Sequence, residues 1–278
     1  RSYKMKARGL EEEIIRKSTQ DIESALKAKD FDKACALCEK LPEFLLASPD
    51  SLNSLQSLCD TALEERRKAR TQAILAKVKP LPSSDYLGNL RGYRELALLD
   101  PGKDLYWEKI ERYTESAEKA QSRMLRKADA RMSYDVNTGT FWYFPDIAEK
   151  RDSRSGAHMY VYLGKKDDDT PPKLRLVCLL PRKEFFPAEQ LLFSFGNAKY
   201  ALPLQREWLH FSEGFLWCDL PLPASSEALK LLDAFSKSSK GSFAFTLPGE
   251  KQLLGWALSS EELHALRQML ELYKNLGQ

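Results

Sequence analysis

Apolar positions in the first half of the chain recur at helical spacing. Residues 3–29 contain no proline and place Leu10, Ile14, Ile22 and Leu26 near the helical period, among Glu11, Glu12, Glu13, Arg16 and Lys17. That pattern predicts a long amphipathic helix. Ala34, Leu37, Cys38 and Leu41 then form a second stripe, with Asp30 or Asp32 placed to cap its helix. Pro80 and Pro82 forbid a continuous helix through residues 77–84 and predict a turn there. A further helix ends at Pro101, and the next begins within a few residues, its main run covering 106–132.

From Ser133 the pattern changes to short apolar and aromatic runs separated by turn residues. Asn137-Thr138-Gly139 leads into a strand at 140–144, and others are predicted at 158–163, 174–180, 191–195, 199–204, 215–219, 242–247 and 251–257. Gly196-Asn197 and Pro248-Gly249-Glu250 suit hairpin turns. Amphipathic helices at 225–236 and 260–276 interrupt and close this half, and Ser259 with Glu262 has capping-box spacing. The expected fold class is therefore α+β. Residues 1–132 form an all-α domain of repeat-like helical hairpins, and residues 133–278 an antiparallel sheet or sandwich with two helices.

The helical half carries an internal echo. Asp30-Phe31, Ala34 and Leu37 before Ser48-Pro49-Asp50 are matched by Asp85-Tyr86, Asn89-Leu90 and Tyr93 before Asp100-Pro101. These segments, 27–62 and 83–117, resemble tetratricopeptide-type repeats, with starts about 55 residues apart where that family repeats at about 34. The resemblance implies a scaffold that holds a protein or peptide in a groove between helices, a plain bundle without a groove being the alternative. Tyr93, Tyr106 and Trp107 of the second copy are the candidate binding residues. In the other half, the order Asp135, Thr138-Gly139, Trp142-Tyr143, then Tyr160 to Gly164, Leu174 to Leu176 and Leu270 to Tyr273 resembles a domain of uncharacterised bacterial proteins. That likeness implies a bacterial origin and a binding role, with no activity attached.

A chain of 278 residues with 43% hydrophobic content can bury a core in each half. The net charge of +3 is too small to imply a nucleic-acid or membrane partner. The densest basic run, Arg66, Arg67, Lys68 and Arg70, follows Glu64 and Glu65, so a solvated helix face is expected rather than a phosphate patch. No run of about 18 apolar residues exists to span a bilayer. The chain begins at Arg1 rather than Met, which leaves an upstream anchor or signal open. Five cysteines, an odd number, in a chain with apolar residues enough to need no staples point to reduced thiols and a cytoplasmic location.

Chemistry-bearing motifs are sparse. Cys35-x-x-Cys38 has only Cys59 near it in sequence and no histidine in its half, short of the four ligands zinc takes, so both thiols are expected in core packing. His158, His210 and His264 are scattered, and Cys178 and Cys218 sit in apolar strand runs. No nucleophile elbow, phosphate loop or dinucleotide fingerprint occurs, and no cofactor or metal is expected. Asp167-Asp168-Asp169 reads as a solvated hairpin tip rather than a calcium loop. Alternation sends Tyr160 and Tyr162 to one side of their strand, where with Trp142 they either grip a peptide, glycan or base or cover the core. The resulting expectation is a non-enzymatic adaptor that binds a protein or peptide. Its rivals are a small-ligand or nucleic-acid binder, or an enzyme whose site is assembled from distant residues.

Overall fold

The computed structural model describes residues 2–41, 49–148, 157–168, 170–181, 183–185, 187–212, 214–222, 227–246 and 253–277. Two compact units divide the chain, Arg1–Tyr106 and Trp107–Gln278. The class is α+β, with helices first and antiparallel sheets after them.

The first unit holds α1 (Ser2–Lys27), α2 (Phe31–Glu39), α3 (Pro49–Val78), α4 (Tyr86–Leu99) and the opening residues of α5 (Asp104–Lys127). Both aspartates that begin the sequence echo are N-caps. Asp30 accepts from the Lys33 amide at 3.1 Å, and Asp85 from the Gly88 amide at 2.9 Å, each satisfying a donor the helix itself leaves open. Lys29 turns the chain out of α1 at φ 57°, and the Asp30 amide closes on the Ala25 carbonyl at 2.9 Å. Small residues then let the helices approach: Ile22, Ala25, Ala34, Cys35 and Ala62 form one core across α1, α2 and α3. At the other end of α3, Gly92 of α4 lies against Val78, where an added Cβ would run into the valine methyl.

One expectation about the cysteines is overturned. Cys35 is buried and free, as core packing requires, but Cys38 and Cys59 form a disulfide tying α2 to α3, with Cα atoms 5.7 Å apart. The sequence offers an odd cysteine count and sufficient apolar content, and neither reveals which thiols the helix pairing brings together.

The expected division at residues 132 and 133 marks the approximate change from helix to strand, whereas compactness divides the chain at Tyr106 and Trp107. The later part of α5 belongs with the sheets. Its Gln121 accepts the Tyr143 hydroxyl at 2.8 Å, and Lys127 reaches Glu271 at 3.7 Å. The second echo segment, 83–117, therefore straddles both units.

The second unit contains β1 (Ala130–Asp135), β2 (Thr140–Pro145), β3 (His158–Lys166), β4 (Lys173–Pro181), β5 (Gln190–Phe195), β6 (Ala198–Pro203), β7 (Leu209–Ser212), β8 (Phe215–Leu222), α6 (Glu227–Ser236), β9 (Gly241–Thr246), β10 (Leu253–Ala257) and α7 (Ser260–Leu276). One antiparallel sheet runs β1-β2-β3-β4-β8-β7 and another β10-β9-β5-β6. Alternation gives the first sheet a closed face carrying Phe141, Tyr143, Met159, Leu163, Leu176 and Cys178, all buried. In the second, Phe193 and Phe195 meet Phe235 of α6 edge-on at 5.3 and 5.4 Å.

Two strands go beyond the sequence expectation. The last long helix stops at Lys127 rather than at 132, because Asp129 adopts φ 43° and releases Ala130 into β1. β7 has only four residues, too few for alternation to register. The expected hairpin at Pro248-Gly249-Glu250 lies outside the described residues. The acidic run also departs from a solvated tip. Asp167 is buried and accepts the Tyr134 hydroxyl at 2.7 Å, while Asp168 is held below the ordinary carboxylate range by the Thr170 hydroxyl and amide. Asp169 is outside the described residues.

Glu262 joins α7 to β3. Its carboxylate takes the Ser259 amide at 2.7 Å in a complete capping box, the Met159 amide at 3.0 Å, and stands 3.1 Å from His158 Nδ1. Burial alone would raise its carboxyl, but the hydrogen bonds from His158, Ser259 and Met159 outweigh burial and hold it below the usual range. A depressed carboxyl stabilises fully above its unfolded value of about 4.3, and that stabilisation is lost as pH falls through the folded value. Glu262→Gln should therefore cost about 1–3 kcal/mol at pH 7, with the gap to the parent closing below about pH 4. Urea midpoints of both proteins across that range check the claim, and a gap independent of pH would refute it.

For the disulfide, alkylation of the denatured, unreduced chain should add three groups, at Cys35, Cys178 and Cys218, and five only after reduction. Closing a loop of sequence separation 21 is worth about 3 kcal/mol, so reductant should lower the melting point of the helical unit. Five groups without reductant would show the bond to be absent.

Candidate functional site

The helical unit presents a groove of about 430 Å³ between α3 and α4. Arg70, Ala73 and Ile74 line it from α3, and Glu95, Leu98 and Leu99 from α4. The local sequence explains the shape. α4 is fixed against α3 one turn and more earlier, where Gly92 meets Val78 and Leu96 and Ala97 are fully buried. Leu98 is then rotated out of that contact and stays 46% exposed, an apolar side chain left at the mouth of the groove. Leu63, two turns before Arg70 and so on the same face of α3, is 48% exposed.

The charges around α3 divide by helix face. Arg67 pairs with Glu64 at 2.9 Å and Lys68 with Glu65 at 2.9 Å, both within the helix. Arg66 and Arg70, one turn apart, instead reach across to Asp32 of α2 at 4.0 and 3.2 Å. A smaller pocket of about 190 Å³ is lined by Arg67 and Lys68 of α3 and by Asp100, Lys103 and Tyr106, among others.

The sequence candidates separate into a helical and a sheet group. Tyr93 and Tyr106 stand together, ring centroids 6.4 Å apart, with Lys103 Nζ 4.9 Å from the Tyr106 ring. Tyr106 is only 2% exposed and acts as a core side chain, Tyr93 is half-buried, and Trp107 is 39% exposed. None of the three lines the α3–α4 groove. The apolar residues that do, Ala73, Ile74, Leu98 and Leu99, are aliphatic.

Trp142, Tyr160 and Tyr162 do meet, on the second face of the larger sheet. Tyr162 lies 5.6 Å from Trp142, 6.4 Å from Tyr160 and stacks on Phe144 at 5.1 Å. Gly164 permits this, since a Cβ there would meet the Trp142 ring at 2.6 Å. Tyr160 is buried with Val177 and Ala265 of α7, so it belongs to the core, while Trp142 and Tyr162 are half-buried. Asp219 organises the polar part: it accepts the Tyr162 hydroxyl at 2.8 Å and Arg175 Nε at 2.8 Å. Burial, then the hydrogen bond to Asp219 and its charge, push the Tyr162 hydroxyl well above its ordinary value. With its donors committed to one carboxylate, this face is a braced surface. Among the described residues, no group of three or more His, Cys, Asp or Glu is placed to hold a metal ion.

No family model matches the chain, and neither curated proteins nor solved structures show a match to it.

Removing the carboxylate should expose how much the braced face depends on it. Asp219→Ala leaves Arg175 and Tyr162 without their shared acceptor and should cost about 2–4 kcal/mol by urea unfolding. A loss under about 0.5 kcal/mol would mean that the triad contributes nothing.

Proposed function

We propose that this protein is a non-enzymatic interaction adaptor of bacterial type whose helical unit binds a helical segment of a partner protein in the α3–α4 groove. The observation that carries the reading is the groove itself, whose apolar lining is Ala73, Ile74, Leu98 and Leu99, with Leu98 exposed. Monomeric proteins leave such side chains together on a surface chiefly where something covers them. The repeat-like echo supports it, since Asp30 and Asp85 cap α2 and α4 in the same way. An amphipathic helix offering apolar residues at i, i+4 and i+7 fits a groove built from two helices. The β-rich unit serves as a rigid platform, braced by Glu262 and Asp219.

Among the described residues, no helix is long and apolar enough to cross a membrane. The Cys38–Cys59 bond favours an oxidising compartment over the cytoplasmic one suggested by cysteine usage.

Peptide display against the full chain tests the reading. Selected peptides should carry helical apolar spacing, and Leu98→Asp should weaken them at least tenfold without shifting the melting curve by more than about 2 °C. Peptides whose affinity ignores Leu98→Asp would place binding elsewhere and remove the groove from consideration.

A further inference from the structure

The smaller sheet ends on an open strand. β6 pairs with β5 along its whole length, and among the described residues no strand lies on its other side. A two-residue turn joins the two, with Gly196 at φ 54°, the glycine that opens a type II′ hairpin turn. Just past the far end of β6, the Leu204 amide donates to the Glu189 carbonyl at 2.8 Å. The period of two then turns the main-chain groups of Leu202, Tyr200 and Ala198 toward β5, and those of Lys199 and Ala201 away from the sheet. Pro203 also faces outward but has no N–H to offer.

Little blunts this edge. Lys199, its one charge, Tyr200, Ala201 and Pro203 are exposed, and the register with β5 runs unbroken by any bulge. Tyr200 ends a row that crosses the sheet in register through Phe193, Phe243 and Trp256. Phe193 and Phe243 are buried, whereas Tyr200 rests on Phe195 with ring centroids 5.5 Å apart and stays 47% exposed. A fifth strand continues the row and covers that ring.

We infer that this fifth strand is β6 of a second copy, added antiparallel across a two-fold axis at Tyr200. The strand's own groups select the register, because only the outward residues can exchange hydrogen bonds. An axis at Lys199 sets like charges face to face, and an axis at Ala201 sets Lys199 against Pro203, which has no amide to give. An axis at Tyr200 sets each Lys199 against the other copy's Ala201, so both outward residues of both strands are paired, and the exposed tyrosines become a cross-strand aromatic pair. The two lysines are then only diagonal neighbours, about 7–8 Å apart. The contact is isologous and stops at the dimer. Each copy contributes one strand of 6 residues, where a standard interface takes about 20–30 residues a side, so the dimer is weak.

Sedimentation of the full chain between about 10 and 500 µM should show monomer and dimer with no larger species. Salt at about 0.5 M should not weaken the dimer, because screening eases the repulsion between the lysines. Position 201 reads the register. Ala201→Glu should tighten the dimer about threefold, since each Lys199 then faces a carboxylate, and Ala201→Lys should loosen it by as much. Tyr200→Cys should give a disulfide-linked dimer with oxidised glutathione, because facing non-hydrogen-bonded residues have Cα atoms about 4.5 Å apart. Lys199→Cys should not, its counterpart being diagonal. Circular dichroism checks that each variant stays folded. A parent chain monomeric at about 500 µM, an affinity indifferent to position 201, growth beyond the dimer, or Lys199→Cys bridging as readily as Tyr200→Cys would each overturn the inference. None of these positions lines the α3–α4 groove, so every outcome leaves the adaptor reading to its own peptides.

Discussion

The close contact between Gly92 and Val78 governs how the helical unit meets solvent. Because position 92 has no Cβ, α4 can lie directly on the end of α3. Leu90, Leu96 and Ala97 are then turned into the core, fixing the rotation of α4 about its own axis. Once that rotation is set, Leu98 has to face outward, since a residue one step beyond Ala97 is displaced about 100° around the helix. The groove is thus a consequence of packing decided a turn and a half away. A larger residue at 92 would change both the separation and the rotation of α4.

In the β-rich unit the comparable role falls to Glu262. β2 pairs with only the C-terminal part of β3, leaving the Met159 amide without a strand partner on that side. The Glu262 carboxylate takes that amide while completing the first turn of α7, so one side chain settles donors from a sheet and from a helix. Its burial is tolerable because its oxygens accept several hydrogen bonds, the condition under which a buried charge stabilises rather than strains a fold. Asp219 repeats the device on the open face, with Arg175 and Tyr162 as its donors. Both carboxylates make the unit stiff, which suits a platform more than a moving part.

Periodicity made most of this architecture legible. The helical stripe around Ile22, the prolines at 80 and 82, and the Ser259–Glu262 spacing each act through neighbours in sequence, and each holds in three dimensions. Features that depend on partners distant in sequence were hidden. Cys38 finds Cys59 only after α2 packs on α3, and Asp167 is buried because Tyr134 comes from another strand to meet it. The groove escaped for a different reason. Aromatic residues are the natural candidates, yet Tyr106 and Tyr160 are taken up by the cores, and the exposed apolar side chain at the groove is Leu98.

The basic run on α3 shows why charge counting cannot stand in for geometry. Arg66, Arg67, Lys68 and Arg70 are nearly consecutive, with two glutamates just before them. In sequence they look neutralised as a block. On the helix, three-residue spacing pairs Glu64 with Arg67 and Glu65 with Lys68, and those four charges cancel on one side. Arg66 and Arg70 are carried round to the other side, where both reach Asp32 of α2 and Arg70 also lines the groove. The same residues are thus a solvated helix face in one direction and a basic rim in the other. Arg70 there lines the groove with exposed Leu98, and Glu95 lines it from α4, a combination of charge and apolar surface that can select one helical partner over another by its flanking residues.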